Sequence, residues 1–133
     1  MLESDAMSRW LGLEVLEIAP RRSRCRMTVR DEMVNGFGVA HGGVVFTFAD
    51  SAFAFACNTH GHVTVAVDNS ITYPAAIRPG DVLIADAREE AGSSRLGYYR
   101  VDVHNQRGEL VALFRGTAYR THTSHFPDEP AHA

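Results

Sequence analysis

Residues 43–57 read Gly-Val-Val-Phe-Thr-Phe-Ala-Asp-Ser-Ala-Phe-Ala-Phe-Ala-Cys, a run of apolar and small residues with a single charge, Asp50, near its middle. A stretch that is apolar all round predicts a helix buried inside the fold, over 43–58, with Gly61 ending it. It is too short to cross a bilayer, and it carries a carboxylate at its centre. The rest of the chain must therefore wrap around it. Asp50 then loses hydration, and burying an unpaired charge is expensive, so the group needs a partner or a task. His41-Gly42-Gly43 leads into the same stretch on a flexible backbone. A donor-rich helix start and a buried carboxylate further along are parts of an acyl-transfer site.

The wrapping material is mostly strand. Residues 24–30 alternate, with Cys25, Met27 and Val29 facing one way and Arg24, Arg26, Thr28 and Arg30 the other, which predicts a half-buried strand. Residues 13–18 predict a strand before it, across a turn at Pro20-Arg21-Arg22. Further strands are predicted over 62–73, 81–90, 96–105 and 109–120, with Asn105-Gln106-Arg107-Gly108 as a hairpin turn. A short helix is predicted over 3–11, with Ser4 or Asp5 as N-cap, Trp10 and Leu11 as anchors and Gly12 as its stop. Residues 31–42 are loop-like, broken by Asn35-Gly36 and Gly38. This order predicts an α+β domain over 1–120, an antiparallel sheet with one face around a central helix. The tail 121–133, rich in His, Pro and acids, is expected to be disordered.

Composition narrows the function classes. A chain of 133 residues fits one domain. A formal net charge of -3 argues against a dedicated nucleic-acid binder. No basic amphipathic run points to a membrane surface. The first residues have neither a basic start nor an apolar signal core, so a cytoplasmic location is expected. Cys25 and Cys57 are too few for a disulfide scaffold and read as small buried apolar groups. Gly42-Gly43 is too short for a phosphate-cradling loop, and no Lys-Ser/Thr follows. His122 and His125 have metal-like spacing without a third fixed ligand, so no metal is expected. His60 and His62 read as surface groups. No His lies at a readable offset to make Ser51 a triad nucleophile.

The run Asn35-Gly36-Phe37-Gly38-Val39-Ala40-His41-Gly42-Gly43, followed by Phe46-Thr47-Phe48-Ala49-Asp50, resembles the signature of hotdog-fold acyl-CoA thioesterases. The nearest group is the PaaI type of phenylacetate degradation. The likeness extends to Asp5-Ala6-Met7, Leu11-Gly12, the run 52–58 and Val111-Ala112-Leu113-Phe114-Arg115-Gly116. The resemblance implies a homo-oligomer, commonly a homotetramer built as a dimer of dimers, with sites at the dimer interface. It implies hydrolysis of acyl-CoA, such as phenylacetyl-CoA or its hydroxylated forms, without a cofactor, coenzyme A being part of the substrate. Asp50 would be the acid/base or nucleophilic carboxylate, and the Gly42 backbone N–H the donor that polarises the thioester carbonyl. Asn35 and His41 would line the site and orient water or substrate. A hotdog hydratase or dehydratase using His41, and a non-enzymatic acyl-CoA-binding module, are the alternatives.

Elementary geometry adds a constraint. Gly42 and Asp50 are eight residues apart, about 12 Å along a helix. One thioester carbon cannot touch both groups of one helix, so a shared substrate needs two chains, with antiparallel helices paired across a two-fold axis. On the helical wheel Gly43, Phe46, Phe53, Ala54 and Cys57 share the Asp50 face. Gly43, Phe46 and Phe53 are therefore expected to meet the partner and bind the acyl group, while Val44, Val45, Phe48, Ala52, Phe55 and Ala56 fill the concave sheet. Arg78, Arg88, Arg95 and Arg115 are candidates for coenzyme A phosphates, with Arg115 foremost.

Overall fold

A computed structural model describes residues 5–59 and 62–124. In chain order it holds α1 (Ala6–Leu11), β1 (Glu14–Ala19), β2 (Arg22–Thr28), a short 3-10 turn (Asp31–Met33), α2 (Gly42–Cys57), β3 (His62–Thr72), β4 (Val82–Gly92), β5 (Leu96–His104) and β6 (Leu110–Ser124). The six strands form one sheet in the order β1-β2-β4-β5-β6-β3. Every neighbouring pair is antiparallel. The predicted α+β architecture is present, with α2 lying along one face of the sheet.

The local chemistry accounts for these elements. The Asp5 carboxylate caps α1 by accepting the Ser8 N–H at 3.1 Å, and Gly12 ends the helix in the left-handed region at φ 69°. In β2, Ser23, Cys25 and Met27 are buried and their neighbours are more exposed, as the alternation required. The β5–β6 turn closes through the Gly108 N–H to the Asn105 carbonyl at 3.0 Å, with Gly108 at φ 77°.

α2 reaches the sheet through small residues. Ala49, Ala52 and Ala56 are fully buried, and Phe48 fills the space between them. They meet Cys25, Met27, Leu83, Ala85, Val101 and Phe114 in one core. The Ser23 hydroxyl donates to the Ala52 carbonyl at 2.6 Å and ties helix to strand. Cys25 and Cys57 are free and buried, and burial pushes their thiols up to about 11 and about 12.

Three expectations are corrected. Phe53 does not belong to the open face beside Asp50; it is 1% exposed. Its ring lies against Tyr99 and Phe114, with centroids at 5.3 and 5.6 Å, over Gly116, where an added Cβ would stand 2.8 Å from the ring. β5 and β6 pack against this side of the helix through Tyr99 and Phe114, so Phe53 and Cys57 become core. The helix face that stays partly open is Gly43, Val44, Phe46, Thr47, Asp50 and Ala54.

β6 also runs to Ser124, four residues past its expected end and into the expected tail. Pairing with β3 and the Thr121 hydroxyl, which donates to the Val63 carbonyl at 2.6 Å, carry it on. Residues 125–133, with His125, lie outside the described residues, as do Ser4, His60 and Gly61. His62, expected at the surface, opens β3 half-buried. Among the described residues no helix is long and apolar enough to cross a membrane.

Candidate active site

The first part of the site is the start of α2. His41 is its N-cap, with φ -63° and ψ 130°, and its Nδ1 accepts the Gly43 N–H at 3.0 Å. The His41 N–H is held by the Met33 carbonyl at 2.7 Å. Gly42 follows as the first helical residue, and its N–H has no acceptor among the described residues. A free N–H at this end of a 16-residue helix lies at the positive pole of the helix dipole. The Gly42 carbonyl accepts from the Tyr73 hydroxyl at 2.5 Å. A Cβ on Gly42 would stand 3.1 Å from that hydroxyl oxygen, so any side chain here would crowd Tyr73.

Asn35 builds the loop that delivers this helix start. Its Oδ1 accepts the Phe37 N–H at 2.8 Å and the Val39 N–H at 3.4 Å, and its own N–H goes to the Val39 carbonyl at 2.8 Å. The loop is closed by the Val34–Ala40 bridge. The Asn35 carbonyl oxygen is thus committed to loop geometry.

The second part is Asp50, two turns further on and half-buried. Asn69 of β3 donates its Nδ2 to Asp50 Oδ1 at 3.1 Å. Burial raises the Asp50 pKa from its ordinary value, the Asn69 hydrogen bond opposes this, and the negative charge of Asp5 adds to it. A raised pKa makes the ionised carboxylate a stronger base. Below it, Ser51 is buried and lies 3.1 Å from the hydroxyl of the fully buried Ser8, which donates to Asp5 Oδ2 at 2.7 Å. This polar link anchors α1 beside Asp50.

Within one chain the structure gathers Asn35, His41, Gly42 and Gly43 at the helix start and leaves Asp50 with Asn69 at mid-helix. Phe46 is half-buried on the open face, edge-on to Phe114 at 5.6 Å. Arg115 stands apart. Phe114 and Gly116 beside it are buried, and Arg115 is exposed on the opposite face of the sheet, next to Arg100 and Ser70 in register. Two apolar hollows flank the start of α2. One lies between α1 and α2, and the other is lined by Val39, Gly42, Val45, Tyr73 and the 74–77 loop. Among the described residues no group of three His, Cys, Asp or Glu is placed to hold a metal ion.

Asn69 and the Asp5–Ser8–Ser51 link were not legible in the sequence. β3 shifts register twice, between His62 and Thr64 and between Ala66 and Asp68, so no alternation marks Asn69 as facing the helix. Asp5 announces itself only as a cap.

Residues 37–112 match the family model described as the thioesterase superfamily. The acyl-coenzyme A thioesterase PaaI of Escherichia coli is 37% identical over 120 residues, covering 90% of this chain and 86% of that protein. Human acyl-coenzyme A thioesterase 13 is 31% identical over 123 residues, covering 90% and 88%. The solved structure of E. coli PaaI, from the phenylacetic acid degradation operon, superposes with a TM-score of 0.91 at 35% identity, covering 93% of this chain and 90% of that one. A Streptococcus mutans protein solved bound to acetyl coenzyme A superposes with a TM-score of 0.79 at 27% identity, covering 82% and 88%. With the helix-wrapped sheet and the sequence family in agreement, the chain belongs to the thioesterase superfamily and is a thioester hydrolase of the hotdog fold.

Proposed function

We propose that the protein hydrolyses acyl-CoA thioesters, foremost an aryl-acetyl-CoA such as phenylacetyl-CoA or its hydroxylated forms, to the free acid and coenzyme A. The observation that carries this is the pairing, on one helix, of a free Gly42 N–H at the positive end and a half-buried Asp50 carboxylate with a raised pKa. The E. coli relative's name and the setting of its solved structure support the substrate class.

The thioester carbonyl oxygen accepts the Gly42 N–H, and the charge it gains during attack is stabilised there. Water attacks the carbonyl carbon and gives a proton to Asp50, or Asp50 attacks first and the mixed anhydride is hydrolysed. Collapse breaks the carbon–sulfur bond; the leaving thiolate takes the proton back from Asp50 in the first route and takes one from solvent water in the second. His41 and Asn35 shape the helix start that aims the donor. Protein groups and water suffice, and coenzyme A enters only as part of the substrate.

Gly42 and Asp50 stand about 12 Å apart along α2, so the minimal active unit is a homodimer that pairs one chain's Gly42 with the other's Asp50. The open helix face and the β3 edge supply the surface. Val65 and Val67 are 46% and 57% exposed on this outermost strand, and bare apolar edges invite pairing. A dimer of dimers extends the assembly to a tetramer. Two buried free thiols suit a reducing compartment and a cytoplasmic location.

A thiol-release assay over a panel of acyl-CoA substrates tests the activity. Hydration of crotonyl-CoA would favour a hydratase instead, and ligand-induced stabilisation without thiol release would favour a binding module. Mixing Asp50→Ala chains with Gly42→Val chains tests the shared site. Activity should return in exchanged heterodimers, and no recovery would count against it.

A further inference from the structure

We infer that the groove between α1 and α2 is the acyl subsite, and that Trp10 and Met7 on its outer wall set which acyl groups it takes. This rests on the thioesterase reading above and goes further by naming the residues that select the substrate. The groove, about 430 Å³, is lined by Met7, Trp10 and Leu11 from α1 and by His41, Gly43, Val44 and Thr47 from α2. It opens at the first turn of α2, one residue from the Gly42 N–H. A carbonyl bound there has its acyl substituent beside the groove.

The lining chooses apolar groups. Thr47 spends its hydroxyl proton on the Gly43 carbonyl at 2.8 Å, and His41 Nδ1 is taken by the Gly43 N–H. What remains is mostly thioether, indole and aliphatic surface, with His41 Nε2 and the Trp10 indole N–H as its polar atoms. Displacing water from such a surface favours an apolar guest over a polar one.

The wall is also held in place before any ligand arrives. Trp10 is 47% exposed, yet the Arg30 guanidinium carbon lies 4.9 Å from its ring centroid and Arg30 Nη2 donates to the Trp10 carbonyl at 2.6 Å. Glu32 holds that guanidinium from the other side. Leu11, 1% exposed, and the buried Ser8–Ser51 contact fix the helix beneath. An exposed aromatic pinned on a rigid helix loses little entropy on binding. Met7, 53% exposed and unbranched, adapts to the shape of the guest.

Trp10 is the sole tryptophan of the chain, so tryptophan emission, excited beyond tyrosine absorption, reads this wall alone. Titrating the Asp50→Asn variant with phenylacetyl-CoA should change its emission saturably, while free coenzyme A should not. Calorimetric binding of phenylacetyl-CoA without any emission change overturns the subsite.

Kinetics over acetyl-, butyryl-, hexanoyl- and phenylacetyl-CoA give an independent test. Trp10→Ala should lower kcat/KM for phenylacetyl- and hexanoyl-CoA by roughly ten-fold or more, mainly through KM, and leave acetyl-CoA within about two-fold. Met7→Phe, at an exposed position that tolerates the change, should narrow the groove and penalise the larger guests selectively. A uniform effect across the panel, or a changed oligomer mass with selectivity intact, overturns the assignment in favour of a subunit contact. No thiol release by the wild-type protein from any member would instead overturn the reading beneath it.

Discussion

The Asn69 side-chain amide, on β3, donates to Asp50 Oδ1 on α2 at 3.1 Å. This bond favours the ionised carboxylate and so opposes the upward push of burial. Replacing Asn69 with Leu removes the donor while keeping similar bulk. With Asp50 as the base, the acid limb of kcat/KM should move to higher pH than in the wild type. A pH–rate profile that does not move would show that Asn69 fails to tune the base.

Asp50→Asn separates chemistry from folding. Hydrolysis should fall by roughly 10² to 10⁴, the usual contribution of a positioned general base. Stability should respond with the opposite sign. The folded-state pKa of Asp50 is raised above its unfolded value, so at low pH both states are protonated and the carboxyl costs nothing. As pH rises through the unfolded and then the folded pKa, wild type loses stability that the uncharged amide keeps. Denaturant midpoints should therefore favour Asp50→Asn at neutral pH and converge with wild type as the pH falls.

Gly116→Ala tests the seat of Phe53. Its Cβ would meet the Phe53 ring at 2.8 Å and Asn69 Oδ1 at 3.0 Å. Overpacking of this kind costs about 1–3 kcal/mol, readable as a lower denaturant midpoint. Trimming the ring in the Phe53→Leu, Gly116→Ala double variant should recover part of the loss, and the double-mutant cycle measures the coupling.

Ser8→Ala breaks the buried link between α1 and the turn carrying Asp50. It strands Ser51 and removes a hydrogen bond from Asp5, with an expected cost of about 1–3 kcal/mol. Hydrogen exchange should report faster opening in α1 than in the sheet.

Much of the fold was legible because its strongest signals are local. The apolar run around Asp50, the alternation from Arg24 to Arg30 and the Asn105–Gly108 turn each declare an element from neighbouring residues alone. Phe53 was misplaced because a helical wheel assigns directions and says nothing about which strands pack against each side; Gly116, 63 residues away, decides that ring's fate. Asn69 escaped because two register shifts in β3 scramble the alternation that would have revealed its direction. β6 outran its expected end because a strand's limit is set by its neighbour, here the start of β3. The candidate site was legible as residue types at a helix start and a helix middle. Asn35 was read as lining the site, and the structure adds that its carbonyl oxygen holds the loop.

The two cysteines bear on how this protein is assayed. With Cys25 and Cys57 enclosed and their thiols held protonated by burial, neither competes for a disulfide reporter dye while the fold is intact. Colour from such a dye then counts liberated coenzyme A alone. A slow extra rise approaching two equivalents per chain, seen without substrate, would mark molecules that have opened, so the same cuvette reports turnover and unfolding.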